Sequence, residues 1–144
     1  SMSRTSWHDA FGVRTVPYAA DPDGKLYNQE TGTDDNGSAM TSYVESSPME
    51  LNLPDSPDGT NLFLVDRIIP DATVTGSLSV TLKSAKYPNG TETTKGPFTI
   101  SSNTDKISCR AKGRQMKVRF SSSDTGDAWS LGRFRINLRG DGLR

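Results

Sequence analysis

Few residues in this chain have side chains suited to chemistry, and their spacing limits what each can do. Glu45, Glu50, Asp66 and Asp71 are the carboxylates that glycoside hydrolysis would need as an acid and a base or nucleophile. Nothing in their spacing pairs them, so the chain is expected not to be an enzyme. The single cysteine, Cys109, would need a neighbouring base to act as a nucleophile. The single histidine, His8, lies in an N-terminus expected to fray. Cys109, in the strand-like run Ile107-Ser108-Cys109-Arg110, therefore reads as a small buried hydrophobe. One cysteine cannot close an internal disulfide, which suits synthesis in a reducing cytosol. Asp21-Pro22-Asp23-Gly24 and Asp34-Asp35-Asn36-Gly37 have the oxygen content of calcium loops. Both lack the glutamate that closes an EF-hand site, and Asp, Asn and Gly also serve ordinary turns. No metal or cofactor is expected. The glycosylation-type triplets Asn36-Gly37-Ser38 and Asn89-Gly90-Thr91 read as turns too, and Arg139-Gly140-Asp141 as a strand end.

The stronger signal is a pattern that binds. Gly113-Arg114-Gln115-Met116-Lys117-Val118-Arg119-Phe120 and Trp129-Ser130-Leu131-Gly132-Arg133-Phe134-Arg135-Ile136-Asn137-Leu138-Arg139 alternate apolar and cationic residues with period two. That pattern predicts a β-hairpin or a sheet corner with one oily face and one cationic face. Arg114, Lys117, Arg119, Arg133, Arg135 and Arg139 form the candidate interaction stripe. Trp129 is expected to cap one end of the core and to pack against Gly132, whose missing side chain permits close approach. The chain has 17 basic and 17 acidic residues and no net charge. Residues 110–144 nevertheless hold nine basic groups against three acidic ones, +6, so the remainder is −6. Neighbouring strands neutralising one another explain this split most simply; acidic-to-basic packing of copies is the other use of such a dipole.

The elements that must position these residues are strands. The chain has 144 residues, enough for one domain with its own core. Only 32% of residues are hydrophobic, and turn formers abound. No amphipathic helix longer than two turns and no membrane-spanning apolar run is visible. Strands are expected at residues 13–20, 25–30, 41–45, 49–53, 61–70, 78–84, 98–100 and 106–110, and in the two cationic runs. A type I′ turn is expected at Asn36-Gly37. Residues 61–70 read as a central strand buried on both faces, with room for a bulge near Asp66-Arg67. Leu78, Val80, Leu82, Phe98, Ile100, Met116, Val118, Phe120, Phe134, Ile136 and Leu138 should face inward. The turn spacing predicts an all-β fold: an antiparallel β-sandwich, jelly-roll or immunoglobulin-like, of about eight to ten strands. Residues 1–12 are expected to be a tag remnant and flexible segment, and residues 13–144 a single sandwich domain.

Several runs resemble the C-terminal part of virion structural proteins of tailed bacteriophages, of the tail nozzle or hub kind. These are Gly24-Lys25-Leu26-Tyr27-Asn28-Gln29-Glu30-Thr31-Gly32, Tyr43-Val44-Glu45-Ser46-Ser47 and Phe63-Leu64-Val65-Asp66-Arg67-Ile68-Ile69-Pro70-Asp71. Val80-Thr81-Leu82-Lys83-Ser84-Ala85-Lys86-Tyr87-Pro88, Gly113-Arg114-Gln115-Met116 and Trp129-Ser130-Leu131-Gly132 follow in the same order, so the resemblance spans roughly residues 24–144. Ser130 stands where those proteins carry a cation, and residues 140–144 differ from their usual ending.

The resemblance implies a structural and assembly role in the virion tail, with assembly in the cytoplasm of a bacterial host. It implies other tail proteins as partners, with homo-oligomer formation in the tail and non-specific contact with DNA as further possibilities. The cationic stripe would pair with Asp34, Asp35, Glu45, Glu50 or Asp66, on the same copy or the next. The rival expectation is a carbohydrate- or receptor-binding module that stacks surface glycan on Trp7, Tyr18, Tyr27, Tyr43 or Tyr87.

Overall fold

The computed structural model describes residues 3–8, 12–51 and 61–142. Residues 52–53, the end of the strand expected at 49–53, lie outside them. All regular structure described is β-strand, and every pairing is antiparallel. Among the described residues no helix is long and apolar enough to cross a membrane.

The chain divides into two compact units, at Thr33/Asp34 rather than at residue 12. In the first, β1 (Ser3–His8), β2 (Gly12–Ala20) and β3 (Leu26–Asn28) form a three-stranded sheet in chain order. The segment expected to fray is thus a paired strand. The turn after β2 is held by Asp21, whose Oδ1 accepts the Lys25 amide at 3.0 Å and whose carbonyl accepts the Gly24 amide at 3.1 Å. Its other carboxylate oxygen, Oδ2, accepts the Tyr27 hydroxyl at 3.3 Å, so the side chain bonds within its own turn as Asp commonly does.

The second unit is the sandwich. One sheet runs β10 (Ile107–Gly113), β6 (Phe63–Ile69), β13 (Arg135–Gly140). The other runs β4 (Ser42–Glu45), β11 (Gln115–Ser122), β8 (Leu78–Ala85), β9 (Thr93–Ile100), with the short β5 (Met49–Glu50) also on β11. A two-stranded ribbon of β7 (Ala72–Thr75) and β12 (Ala128–Leu131) completes it. Among the described residues thirteen strands form, more than the expected eight to ten, because β1, β7 and β12 were not anticipated as separate elements.

The core follows the period-two reading where strands are central. Leu78, Val80 and Leu82 of β8 interleave with Met116, Val118 and Phe120 of β11, all essentially without solvent exposure. Phe63, Val65 and Ile68 of β6 close on them from the facing sheet. At about 25 cal/mol per Å² of apolar surface, each such side chain contributes roughly 1.5–3 kcal/mol on burial. β6 is central but buried on one face only: Arg67 and Ile69 are exposed. The bulge at Asp66-Arg67 is present. Two residues separate inward Val65 from inward Ile68, and the pairing with β13 slips between Asn137 and Leu138. Asn36 and Gly37 both have positive φ (49° and 85°), as a type I′ turn requires.

Candidate interaction surface

The two cationic runs do not form one hairpin. β11 pairs with β8, β4 and β5, whereas β13 pairs with β6 in the opposite sheet. Their apolar faces meet across the interior instead: the Phe120 and Phe134 rings lie 5.1 Å apart, tilted by 59°. The six stripe residues are therefore spread over two sheets. Four of them meet different partners.

On β11, Lys117 lies opposite Lys83 of β8 and Arg119 lies opposite Glu45 of β4. Two lysines directly opposed repel. The sheet resolves this with two carboxylates. Glu45 accepts Lys83 at 2.7 Å and Arg119 at 3.3 Å, and Glu92 accepts Lys117 at 2.5 Å. The hydrogen bond from Lys83, aided by the Lys83 and Arg119 charges, holds the Glu45 carboxyl below its ordinary range against the opposing effect of burial. Glu92, whose hydrogen bond raises the Lys117 pKa, was not anticipated as a partner. The Arg119 guanidinium also lies over the Tyr43 ring, 3.9 Å from its centroid.

On β13, the bulge turns Asp66 outward. Its Oδ2 meets Arg139 at 3.1 Å and its Oδ1 accepts Asn137 Nδ2 at 2.7 Å. Lys112 of β10 is bound by Asp141, whose carboxyl is held below its ordinary range mainly by that hydrogen bond. Arg114 donates to the Lys86 carbonyl at 3.1 Å and lies 5.0 Å from the Tyr87 ring centroid. Arg133 and Arg135 differ. Both are exposed, and among the described residues neither side chain forms an ion pair.

The acids expected to meet the stripe are only partly those that do. Glu45 and Asp66 take that role. Asp34 Oδ1 accepts the Gly37 amide at 3.3 Å inside its own turn, and Glu50 accepts Gln115 Nε2 at 2.5 Å. Among the described residues neither of these nor Asp35 bridges to the stripe. Asp71 accepts the Arg133 amide on Oδ2 at 3.0 Å and the Gly132 amide on its carbonyl at 2.6 Å. Each of Glu45, Glu50, Asp66 and Asp71 is thus held by its own neighbours.

Trp129 is partly buried against the core, and its Nε1 donates to Ser42 Oγ (2.9 Å) and Ser122 Oγ (3.1 Å). This ties the ribbon to β4 and β11. Gly132 does not serve Trp129. A Cβ at Gly132 would lie 2.6 Å from Asp71 Oδ2, so its bareness admits the aspartate. Leu138, expected inward, is 43% exposed because β13 is an edge strand with one uncovered flank. Cys109 is half-buried against the core, and burial together with the Asp66 charge pushes its thiol pKa up. The Trp7 and His8 side chains lie outside the described residues. Among the described residues no cluster of His, Cys, Asp and Glu could hold a metal.

No protein-family model and no curated protein matches this chain.

Proposed function

We propose that this chain is a non-enzymatic structural and assembly domain of a bacteriophage tail, working through protein–protein contacts made in the virion. The observation that carries the reading is the exposed pair Arg133, two residues before edge strand β13, and Arg135, its first residue. Elsewhere on the stripe Lys117, Arg119 and Arg139 are neutralised by Glu92, Glu45 and Asp66, and Arg114 is held by the Lys86 carbonyl and the Tyr87 ring. The exposed pair is left for an outside acid, and Arg135 stands beside the exposed Ile69, its cross-strand neighbour. Guanidinium forks flanked by apolar surface suit a contact that fixes register and partner choice. A guanidinium lies over each of the exposed rings of Tyr43 and Tyr87. That arrangement favours assembly over stacked glycan.

The double substitution Arg133→Glu, Arg135→Glu tests this reading. Both side chains are exposed, so the thermal transition should stay within about 0.5 kcal/mol of the parent. Incorporation of the variant into tail particles, measured by quantitative immunoblotting of purified virions, should be lost. Normal incorporation overturns the reading.

A further inference from the structure

A second feature lies on the other flank of the sandwich. β10 is an edge of one sheet, β9 is an edge of the other, and the two run beside each other. Between them and the β8–β9 loop is an open hollow of about 590 Å³. That volume lies within the usual range for small-ligand sites, about 300–1,000 Å³. Its lining includes Lys86, Lys95, Arg110 and Lys112, and no carboxylate. In a chain with equal numbers of acids and bases, four cations around one hollow are a marked local excess.

The fold keeps carboxylates out of this lining. Thr91 and Thr93 line the hollow, while Glu92 between them turns to Lys117. Thr93 and Lys95 share the sheet face of their cross-strand partners Ser84 and Leu82, which are buried. Lys95 thus leans inward at an open edge. An inward lysine, with the amide-less Pro97 two residues on, guards an edge strand against pairing with another chain. That accounts for Lys95 and leaves Lys86 and Arg110 unexplained. Lys112 is bound to Asp141, and Arg110 lies within the field of that carboxylate. Among the described residues Lys86, Lys95 and Arg110 form no ion pair. The remaining polar lining is hydroxyl: Tyr87, Thr91, Thr93 and Ser84, of which Ser84 is buried and donates from its Oγ to the Thr93 carbonyl at 3.4 Å.

We propose that this hollow binds a phosphoryl group carried on a small hydroxyl-rich molecule, a sugar phosphate being the class that fits. Three cations without an ion pair exceed what one carboxylate neutralises. A phosphoryl group near neutral pH has a charge of about −1.5 to −2 and three acceptor oxygens. Arg110 supplies a planar fork for two of those oxygens, and the two lysines supply point charges. The Thr91 and Thr93 hydroxyls are suited to the carrier. A nucleic-acid strand, by contrast, is followed by an extended cationic groove of about 4–16 nucleotides per module. This hollow is compact.

The test is an amide-resolved NMR titration of the full chain with glucose 6-phosphate, inorganic phosphate, glucose and an oligothymidylate. Glucose 6-phosphate should shift the amides of residues 84–95 and 110–112, weaken with added salt, and bind more tightly than inorganic phosphate; glucose should have no effect. Equal binding of inorganic phosphate keeps the phosphoryl site and identifies the free oxyanion as its source. The double substitution Lys95→Gln, Arg110→Gln should weaken binding by about tenfold or more, while Arg135→Gln leaves it unchanged. Lys86→Gln, in the loop, is the second variant, for use if the double substitution disturbs the fold. Shifts spread equally over Arg67, Arg133 and Arg135 overturn the proposal, as does binding that survives the substitutions. An oligothymidylate that binds more tightly than glucose 6-phosphate replaces it with strand recognition.

Discussion

Glu45 shows how one carboxylate organises a sheet face. It stands between Lys83 and Arg119 and keeps the opposed Lys83 and Lys117 from being an uncompensated pair. Its side chain is about a fifth exposed, at 22%, so solvent screens the interaction and its contribution is about 0.5–1 kcal/mol. Its pKa in the fold is depressed, so the contribution is fully present above the ordinary glutamate value of about 4.3 and is lost as pH falls through the lower folded value. Glu45→Gln should therefore lower the urea midpoint at pH 7, and the gap from the parent should narrow at a pH below the ordinary glutamate value of about 4.3. A gap that is the same at both pH values would show that the charge on Glu45 is not what stabilises this face. The sequence offered Glu45 as one of five acidic candidates, with Asp34, Asp35, Glu50 and Asp66. Glu92 was hidden because it lies in a loop, where period-two logic assigns no face.

At the scale of elements, the sequence was most legible where a strand has neighbours on both sides. β8 and β11 are flanked in their sheet, and every apolar position read as inward is buried. β13 has the same alternation but only β6 beside it, so Phe134 and Ile136 are partly buried and Leu138 is exposed. Periodicity gives the face of a side chain and says nothing of what covers it. For the same reason Met116→Ala should cost about 2–5 kcal/mol by leaving a cavity, whereas Leu138→Ala should cost less than about 1 kcal/mol. Chemical denaturation of the two variants measures this directly, and equal losses would mean that β13 is covered as fully as β11. β7 was missed because Ala72-Thr73-Val74-Thr75 is short and only weakly apolar; it is a strand because β12 pairs with it. β9 was cut short at Phe98 by Gly96 and Pro97, which an edge strand tolerates. The candidate sites divide the same way. The cations of β11 and β13 are visible as runs, while Lys86, Lys95 and Arg110 come together only through the crossing of β9 and β10 between sheets.

For the whole molecule, the division at Thr33/Asp34 makes a claim about stability that neither residues nor strands make alone. Every member of the buried apolar cluster lies between Phe63 and Phe120, inside the second unit. In the first unit, among the side chains described, Ala19 is the one buried hydrophobe. A segment of that size with so little core falls below the roughly 40 residues at which domains usually need staples or partners to fold. The cooperative transition should therefore belong to the sandwich. A chain lacking residues 1–33 is expected to keep a single cooperative unfolding transition with a midpoint close to the parent's. Its denaturant slope should fall only modestly, since that slope follows the surface exposed on unfolding. A broad, non-cooperative transition in the shortened chain would mean that the sandwich draws stability from the first unit. The retained midpoint would instead identify the cluster built on β6, β8 and β11 as the body that holds both flanks, Arg133 and Arg135 on one and the cationic hollow on the other, in place.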